Sequence, residues 1–214
     1  ENKWFIINVQ KTGFYRVNYD DSNWLRLKEQ LLKNFSLIHR LNREQIIDDA
    51  FNLARIGYVE YDLPLGISDY MKMEKDLTVW TTFLINFQYI LDMAGNPKND
   101  TIEFFDKFLQ ELIVPLYKRT GFIDSPLDSY DIQELRILST EWACRVGYKP
   151  CLETANKLFY QWLNLPFNMR SRERTDTKKK KCYRIVVLEI GSRNWWSVRL
   201  GDYQDRIPYE IPYS

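Results

Sequence analysis

The sequence predicts a mainly α chain, in which a short N-terminal β-hairpin is followed by helix pairs that stack into an α-solenoid or curved bundle. A divergent C-terminal tail, β-rich or disordered, follows. Three observations carry this expectation. Apolar residues recur at three- and four-residue steps from Trp24 to Trp162. Only residues 4 to 9 and 14 to 19 show the period-two alternation of strands ahead of them. Beyond Phe167 the pattern gives way to the basic cluster Arg170, Arg172, Arg174 and Lys178 to Lys181, then to Tyr183-Arg-Ile-Val-Val-Leu-Glu-Ile190 and Trp195-Trp-Ser-Val-Arg-Leu200. The chain thus divides into residues 1–20, 21–168 and 169–214.

The hairpin is read from Trp4-Phe-Ile-Ile-Asn-Val9 and Phe14-Tyr-Arg-Val-Asn-Tyr19, joined by Gln10-Lys-Thr-Gly13. Gly13 is expected to supply the positive φ of a tight turn. Two strands are too few for a stable sheet, so neighbours upstream of Glu1 are expected, as in the closing strands of a sandwich. Asp21-Ser22 then caps a helix whose broad apolar face holds Trp24, Leu25, Leu27, Leu31 and Leu32. Asn42, with Gln45 three positions on, forms a capping box for the next helix, which carries Ile46, Ile47, Ala50, Phe51, Leu53 and Ala54 and ends at Gly57.

Asp62 and Pro64 start a short helix to about Met73. A helix from about Thr78 carries Trp80, Phe83, Leu84, Phe87, Ile90 and Leu91 and stops at Gly95-Asn-Pro97. The next, Asp100 to about Thr120, holds Pro115 inside its pattern, which removes a backbone hydrogen bond and predicts a kink. Residues 131–146 and 151–165 supply two more helices.

Composition narrows the function classes. The 214 residues hold 30 Lys+Arg against 29 Asp+Glu, so no global field pulls the chain toward nucleic acid or an anionic membrane. The cluster at 170–181 reads more simply as a solvated segment than as a nucleic-acid site, although a basic appendage is the weaker alternative. No apolar run reaches the roughly 18 residues that span a bilayer, so no transmembrane segment is expected in the chain. Folding a chain of this size can bury about 70 % of its unfolded surface.

Of the three cysteines, Cys144 and Cys151 flank Arg-Val-Gly-Tyr-Lys-Pro, whose Gly147 and Pro150 turn the chain between two helices. A loop-closing disulfide is favoured over a metal pair, which lacks two further ligands, with plain thiols the alternative. Asn34-Phe-Ser36 and Asn99-Asp-Thr101 are N-glycosylation sequons in expected loops. Both features fit a secretory, cell-surface or extracellular setting. The single histidine, His39 beside Arg40, reads as a surface residue. Arg43, Asp48 and Asp49 are wrongly spaced to pair along their own helix; ion pairs to other elements, with Arg16 a partner, are the expectation. Asp20 and Asp21 read as caps. The aromatics Phe14, Tyr15, Tyr19 and Trp24 are expected to pack where the hairpin meets the helices.

The run Trp4…Asn8…Gly13-Phe-Tyr15-Arg16-Val-Asn-Tyr19-Asp20…Trp24…Leu27, followed by Asn42-Arg43-Glu-Gln-Ile-Ile-Asp48-Asp49-Ala-Phe51-Asn-Leu-Ala-Arg55-x-Gly57, resembles the aminopeptidase N family of zinc metallopeptidases, which includes the endoplasmic-reticulum aminopeptidases. The likeness continues through Glu74…Trp80, Pro115-Leu-Tyr117, Leu135-Arg136 and Ala143-Cys144…Cys151…Trp162, covering about residues 3–170. The resemblance implies that the hairpin closes a β-sandwich domain and that the helices begin an armadillo- or HEAT-like superhelix over the active site. It implies as partners an upstream catalytic domain, the sandwich and peptide substrates. The family's zinc-binding His-Glu-x-x-His and its Gly-x-Met-Glu-Asn segment are absent from this chain, so no catalytic or metal residue is assigned here. Zinc is implied only for a catalytic domain outside it. The expected role is a non-catalytic helical domain that covers the active site and helps bind peptides. The alternative is a free-standing helical module that binds peptides or proteins without catalysis.

Overall fold

The computed structural model describes residues 3–94, 100–123 and 125–164. The expected strands 183–190 and 195–200, the rest of the tail and the sequon asparagine Asn99 lie outside the described residues. The described part is mainly helical: α1 (Asp21–Asn34), α2 (Arg40–Arg55), α3 (Asp62–Ser68), α4 (Leu77–Ala94), α5 (Asp100–Thr120), α6 (Tyr130–Arg145) and α7 (Lys149–Leu163). The chain falls into two compact units, Glu1–Val146 and Gly147–Ser214.

In the first unit α2 packs on α4, α5 on α6, and α3 on both α1 and α2, while α4 also touches α5 and α6. The heptad-like recurrence of large apolar side chains explains these pairings, because each helix has one stripe that water disfavours. Trp24, Leu27 and Leu31 of α1, Ile46, Ile47, Ala50 and Phe51 of α2, and Val79, Trp80, Phe83 and Phe87 of α4 are buried. Phe83 anchors the centre: its ring lies 6.0 Å from Phe51, 5.9 Å from Trp80 and 5.5 Å from Phe87. Phe87 then stacks on Phe108 of α5 at 5.9 Å. Leu109, Leu112, Ile113 and Leu116 of α5 and Leu135 and Ala143 of α6 complete the interior. α5 runs on as one helix through Pro115.

In the second unit α7 is the described element, with Cys151 and Ala155 buried on it. Cys144 at the end of α6 and Cys151 in the first turn of α7 are both disulfide-bonded. Gly147 between them takes φ 77°, and Gly57 just past α2 takes φ 76°. Both are left-handed positions that favour glycine.

The expected hairpin at 1–20 is not formed: among the described residues there is no strand. Its turn is the reason. Asn8, Gln10 and Lys11 adopt positive φ (59°, 56° and 57°), and a tight 3-10 turn at Val9–Lys11 replaces the expected turn at 10–13 that would hold strands in register. Gly13 has no positive φ; the Tyr15 ring lies over it instead, 2.3 Å from where a Cβ would stand. Two helix starts also differ from expectation. α1 is capped by Asp20, one of the two aspartates expected as caps, whose side chain accepts from the Asn23 N–H, while the expected Asp21-Ser22 cap lies inside the helix. His39 caps α2, its Nδ1 accepting from the Leu41 N–H at 3.3 Å, and Asn42 lies inside the helix.

Candidate functional site

The residues singled out by the sequence converge on the contact between the N-terminal segment and α2. An extended segment without a sheet must find other partners for its backbone, and here side chains supply them. Asn23 of α1 exchanges two hydrogen bonds with the Phe5 main chain, each 3.0 Å. The Tyr19 hydroxyl accepts from the Ile7 N–H at 3.0 Å. Asn42 Oδ1 accepts from the Gln10 N–H at 2.5 Å, and Asp49 Oδ2 from the buried Val17 N–H at 3.1 Å. Asn8 closes the loop internally, its amide bonded to the main chain of Gly13 and Tyr15.

Charge reinforces this docking. Arg16 donates to Asp48 Oδ2 at 2.7 Å and reaches Asp49 Oδ1 at 3.3 Å. Lys11 pairs with Glu44 at 2.6 Å, and Glu44 also accepts from the Thr82 hydroxyl of α4 at 3.0 Å. Asp48 Oδ1 accepts from Asn52 and from Asn86 of α4, at 3.0 and 3.1 Å. One edge of α2 therefore ties the segment to α4. Tyr19 packs edge-on to Phe5 at 5.7 Å and to Trp24 at 5.0 Å. The Trp4 indole N–H donates to Gln30 and that of Trp24 to Asn18. Phe14 and Tyr15 are exposed, in contrast to Tyr19 and Trp24.

Burial is the largest influence on Asp49 and lifts its carboxyl above the ordinary aspartate value; the Val17 N–H, Gln45 and Arg16 pull it back down. Arg16 is itself half-exposed, so water screens its attraction, and the upward direction stands. Burial likewise raises the Tyr19 phenol.

Phe51 lies in the core. Arg43 faces the opposite way from Arg16's partners, into a second and drier cluster. Its guanidinium makes a two-pronged bond to Glu74 at 2.7 and 2.9 Å, donates to the Ile38 carbonyl at 2.7 Å, and lies 5.1 Å from the Phe35 ring centre. Burial works against its charge, yet the bond to Glu74 leaves its pKa above the ordinary arginine value. Glu74 also accepts from the Lys75 and Asp76 N–H groups, and its carbonyl from the Trp80 indole and Arg119. Through its carboxylate and its main-chain carbonyl together, this one residue gathers α2, the start of α4 and the end of α5. The Tyr70 phenol beside it is raised well above its ordinary value by burial.

The partners Glu44, Asn42, Asn23 and Asn8 were not among the candidates. Polar residues on an otherwise apolar stripe were the available signal, since a buried amide must be matched. Among the described residues no group of three His, Cys, Asp or Glu could hold a metal ion. His39 spends its Nδ1 on a helix cap. The donors among the described residues do not fit a zinc site. No helix of the described residues is long and apolar enough to cross a membrane.

The family model described as "ERAP1-like C-terminal domain" matches residues 4–195. The chain is 35% identical over 164 residues to an aminopeptidase N of Plutella xylostella, covering 77% of this chain and 17% of that protein. It is 32% identical over 184 residues to the thyrotropin-releasing hormone-degrading ectoenzyme of Rattus norvegicus, covering 79% and 17%. An aminopeptidase Q of Acinonyx jubatus is 32% identical over 221 residues, covering 98% and 21%. The chain thus spans about a fifth of the length of the curated relatives it matches.

Proposed function

We propose that this chain, which belongs to the ERAP1-like C-terminal domain family, acts as the non-catalytic helical part of a zinc aminopeptidase-like protein. It covers the active site of a catalytic domain and helps hold peptide substrates while N-terminal residues are removed. The observation that carries this reading is one of proportion: 77–98% of the chain aligns with these relatives, two of them named as aminopeptidases, yet it accounts for only 17–21% of their length. The remaining length is where the family's zinc, and the water it activates, belong.

The chain's own contribution is positional. A rigid helical wall over a reacting centre limits water and fixes a substrate's far end, which lowers the entropy lost on reaching the transition state. The side-chain clasp of Arg16, Asp48, Asp49 and Asn42 on the N-terminal segment supports this role, because it holds the preceding chain against α2. Catalytic and sandwich domains of the same protein are the proposed partners. The disulfide-bonded cysteines and the "ectoenzyme" in a relative's name support a secretory or extracellular setting.

Two assays test the proposal. The isolated chain is expected to show no peptide turnover when supplied with zinc; stoichiometric zinc with turnover would overturn it. Removing this segment from the full-length protein is expected to raise KM for long peptides more than for the shortest ones. An equal change for all lengths would remove the substrate-binding part of the reading.

A further inference from the structure

Asn34 ends α1, and its amide is arranged asymmetrically. The oxygen is occupied: Oδ1 accepts from the Ser36 N–H at 3.1 Å and from the Ser36 hydroxyl at 2.6 Å. The main-chain carbonyl accepts from Gln30 at 2.8 Å. The nitrogen is not: among the described residues Nδ2 donates to no group. Asn34 and Ser36 are both exposed. Phe35 between them turns inward, its ring 6.1 Å from Tyr70 and 5.1 Å from the Arg43 guanidinium. The middle residue is thereby an anchor that points its two neighbours at solvent.

We propose that Asn34 carries an N-linked glycan, with Ser36 as the hydroxyl residue of the acceptor. The sequence Asn34-Phe-Ser36 meets the requirement for such a site, including a middle residue other than proline. The donor is a sugar chain carried on a polyisoprenyl pyrophosphate. Nδ2 bonds to C1 of the first sugar, the bond from C1 to the pyrophosphate oxygen breaks, and its electron pair leaves with the pyrophosphate. One Nδ2 proton is released. The sugar replaces a hydrogen that has no partner among the described residues, so their hydrogen bonds are all kept when the chain carries it. It would stand beside Leu32 and Leu37, which are exposed, and shield apolar surface that water disfavours. A surface bearing a glycan faces solvent, so the corner from the end of α1 to Leu37 is not a face on which another domain docks.

The inference rests on the secretory setting proposed above, and its test supplies that setting separately. The full chain is expressed in eukaryotic cells behind a cleavable secretory leader, recovered from the medium, and its peptides are mapped by mass spectrometry. The map is made before and after treatment with a peptide N-glycosidase, which converts a glycan-bearing Asn to Asp. The Asn34 peptide is expected to carry the glycan and to convert; Asn34→Gln and Ser36→Ala are expected to abolish it, while Ser36→Thr keeps it. Secreted chain with its disulfide intact and Asn34 unmodified would overturn the proposal and leave the helical-domain reading untouched. The map of the unsubstituted chain decides by itself, so a variant that fails to fold does not weaken the test.

Discussion

Replacing Glu74 by alanine is expected to be among the most damaging single changes in this chain. The side chains of Arg43 and Glu74 are 9% and 0% exposed, so the substitution leaves a guanidinium inside the protein with the Ile38 carbonyl, the Phe35 face, the Tyr70 phenol and the weaker attraction of Asp76, but without its two-pronged partner. Breaking a buried ion pair from one side costs about 3–5 kcal/mol, because the remaining charge has lost water and partner together. The Lys75 and Asp76 N–H groups also lose an acceptor, but Lys75 is exposed and Asp76 half-buried, so water replaces much of that loss. On a urea dependence of roughly 2 kcal/mol per molar, the midpoint should fall by about 2 M. The assay is urea unfolding of the full chain followed in parallel by tryptophan fluorescence and far-UV circular dichroism. Arg43→Met combined with Glu74→Leu is expected to lose less than the two single losses added together, since removing both charges spares the burial of one alone. A Glu74→Ala loss under about 1 kcal/mol, additive with that of Arg43→Met, would place the pair among solvent-screened bridges and refute the reasoning.

Further outcomes are specific enough to fail. Phe83→Ala removes a fully buried ring at the centre of α4 and should cost about 3–5 kcal/mol in the same assay; a loss near 1 kcal/mol would mean that the site collapses around the gap. Arg16→Ala, at a half-exposed bridge, should cost no more than about 1 kcal/mol yet speed amide exchange at Val17, the neighbour whose N–H is held by Asp49; unchanged exchange would show that the clasp does not depend on it. A carboxyl raised by burial takes up a proton on folding. Asp49 therefore favours the fold most below its unfolded pKa, and that contribution is lost as pH climbs through its raised folded value. Relative to the parent, Asp49→Asn should gain stability as pH rises through that window, and a relative loss would reverse the assignment. Reduction of the disulfide-bonded Cys144 and Cys151 should cost about 2–4 kcal/mol and add titratable thiols; unchanged thiol content would contradict the bonding.

The helices were legible because their cause is local. Ile46, Ile47, Ala50, Phe51 and Ala54 recur at helical spacing and are buried, and a single stripe of this kind is visible without any knowledge of its partner. The first twenty residues were not, because their alternation is a property of any extended chain. Whether extended chain becomes strand depends on what accepts its N–H groups, and here Asn23, Tyr19, Asn42 and Asp49 do so from elsewhere in the sequence. The same long-range logic moved the cap of α2 from Asn42 to His39: an asparagine suited to capping was needed by Gln10. Around the candidate site, spacing alone showed that Arg43 could not pair along its own helix. It could not single out Glu74, thirty-one positions away, as the partner that the fold provides.

The proposed role requires that these helices serve a metal centre that lies elsewhere in the same polypeptide. Sequencing the transcript upstream of the codon for Glu1 measures this most directly. An in-frame segment encoding His-Glu-x-x-His with a downstream Glu is the predicted result. A start codon immediately ahead of Glu1 would contradict it and make the chain a binding module in its own right.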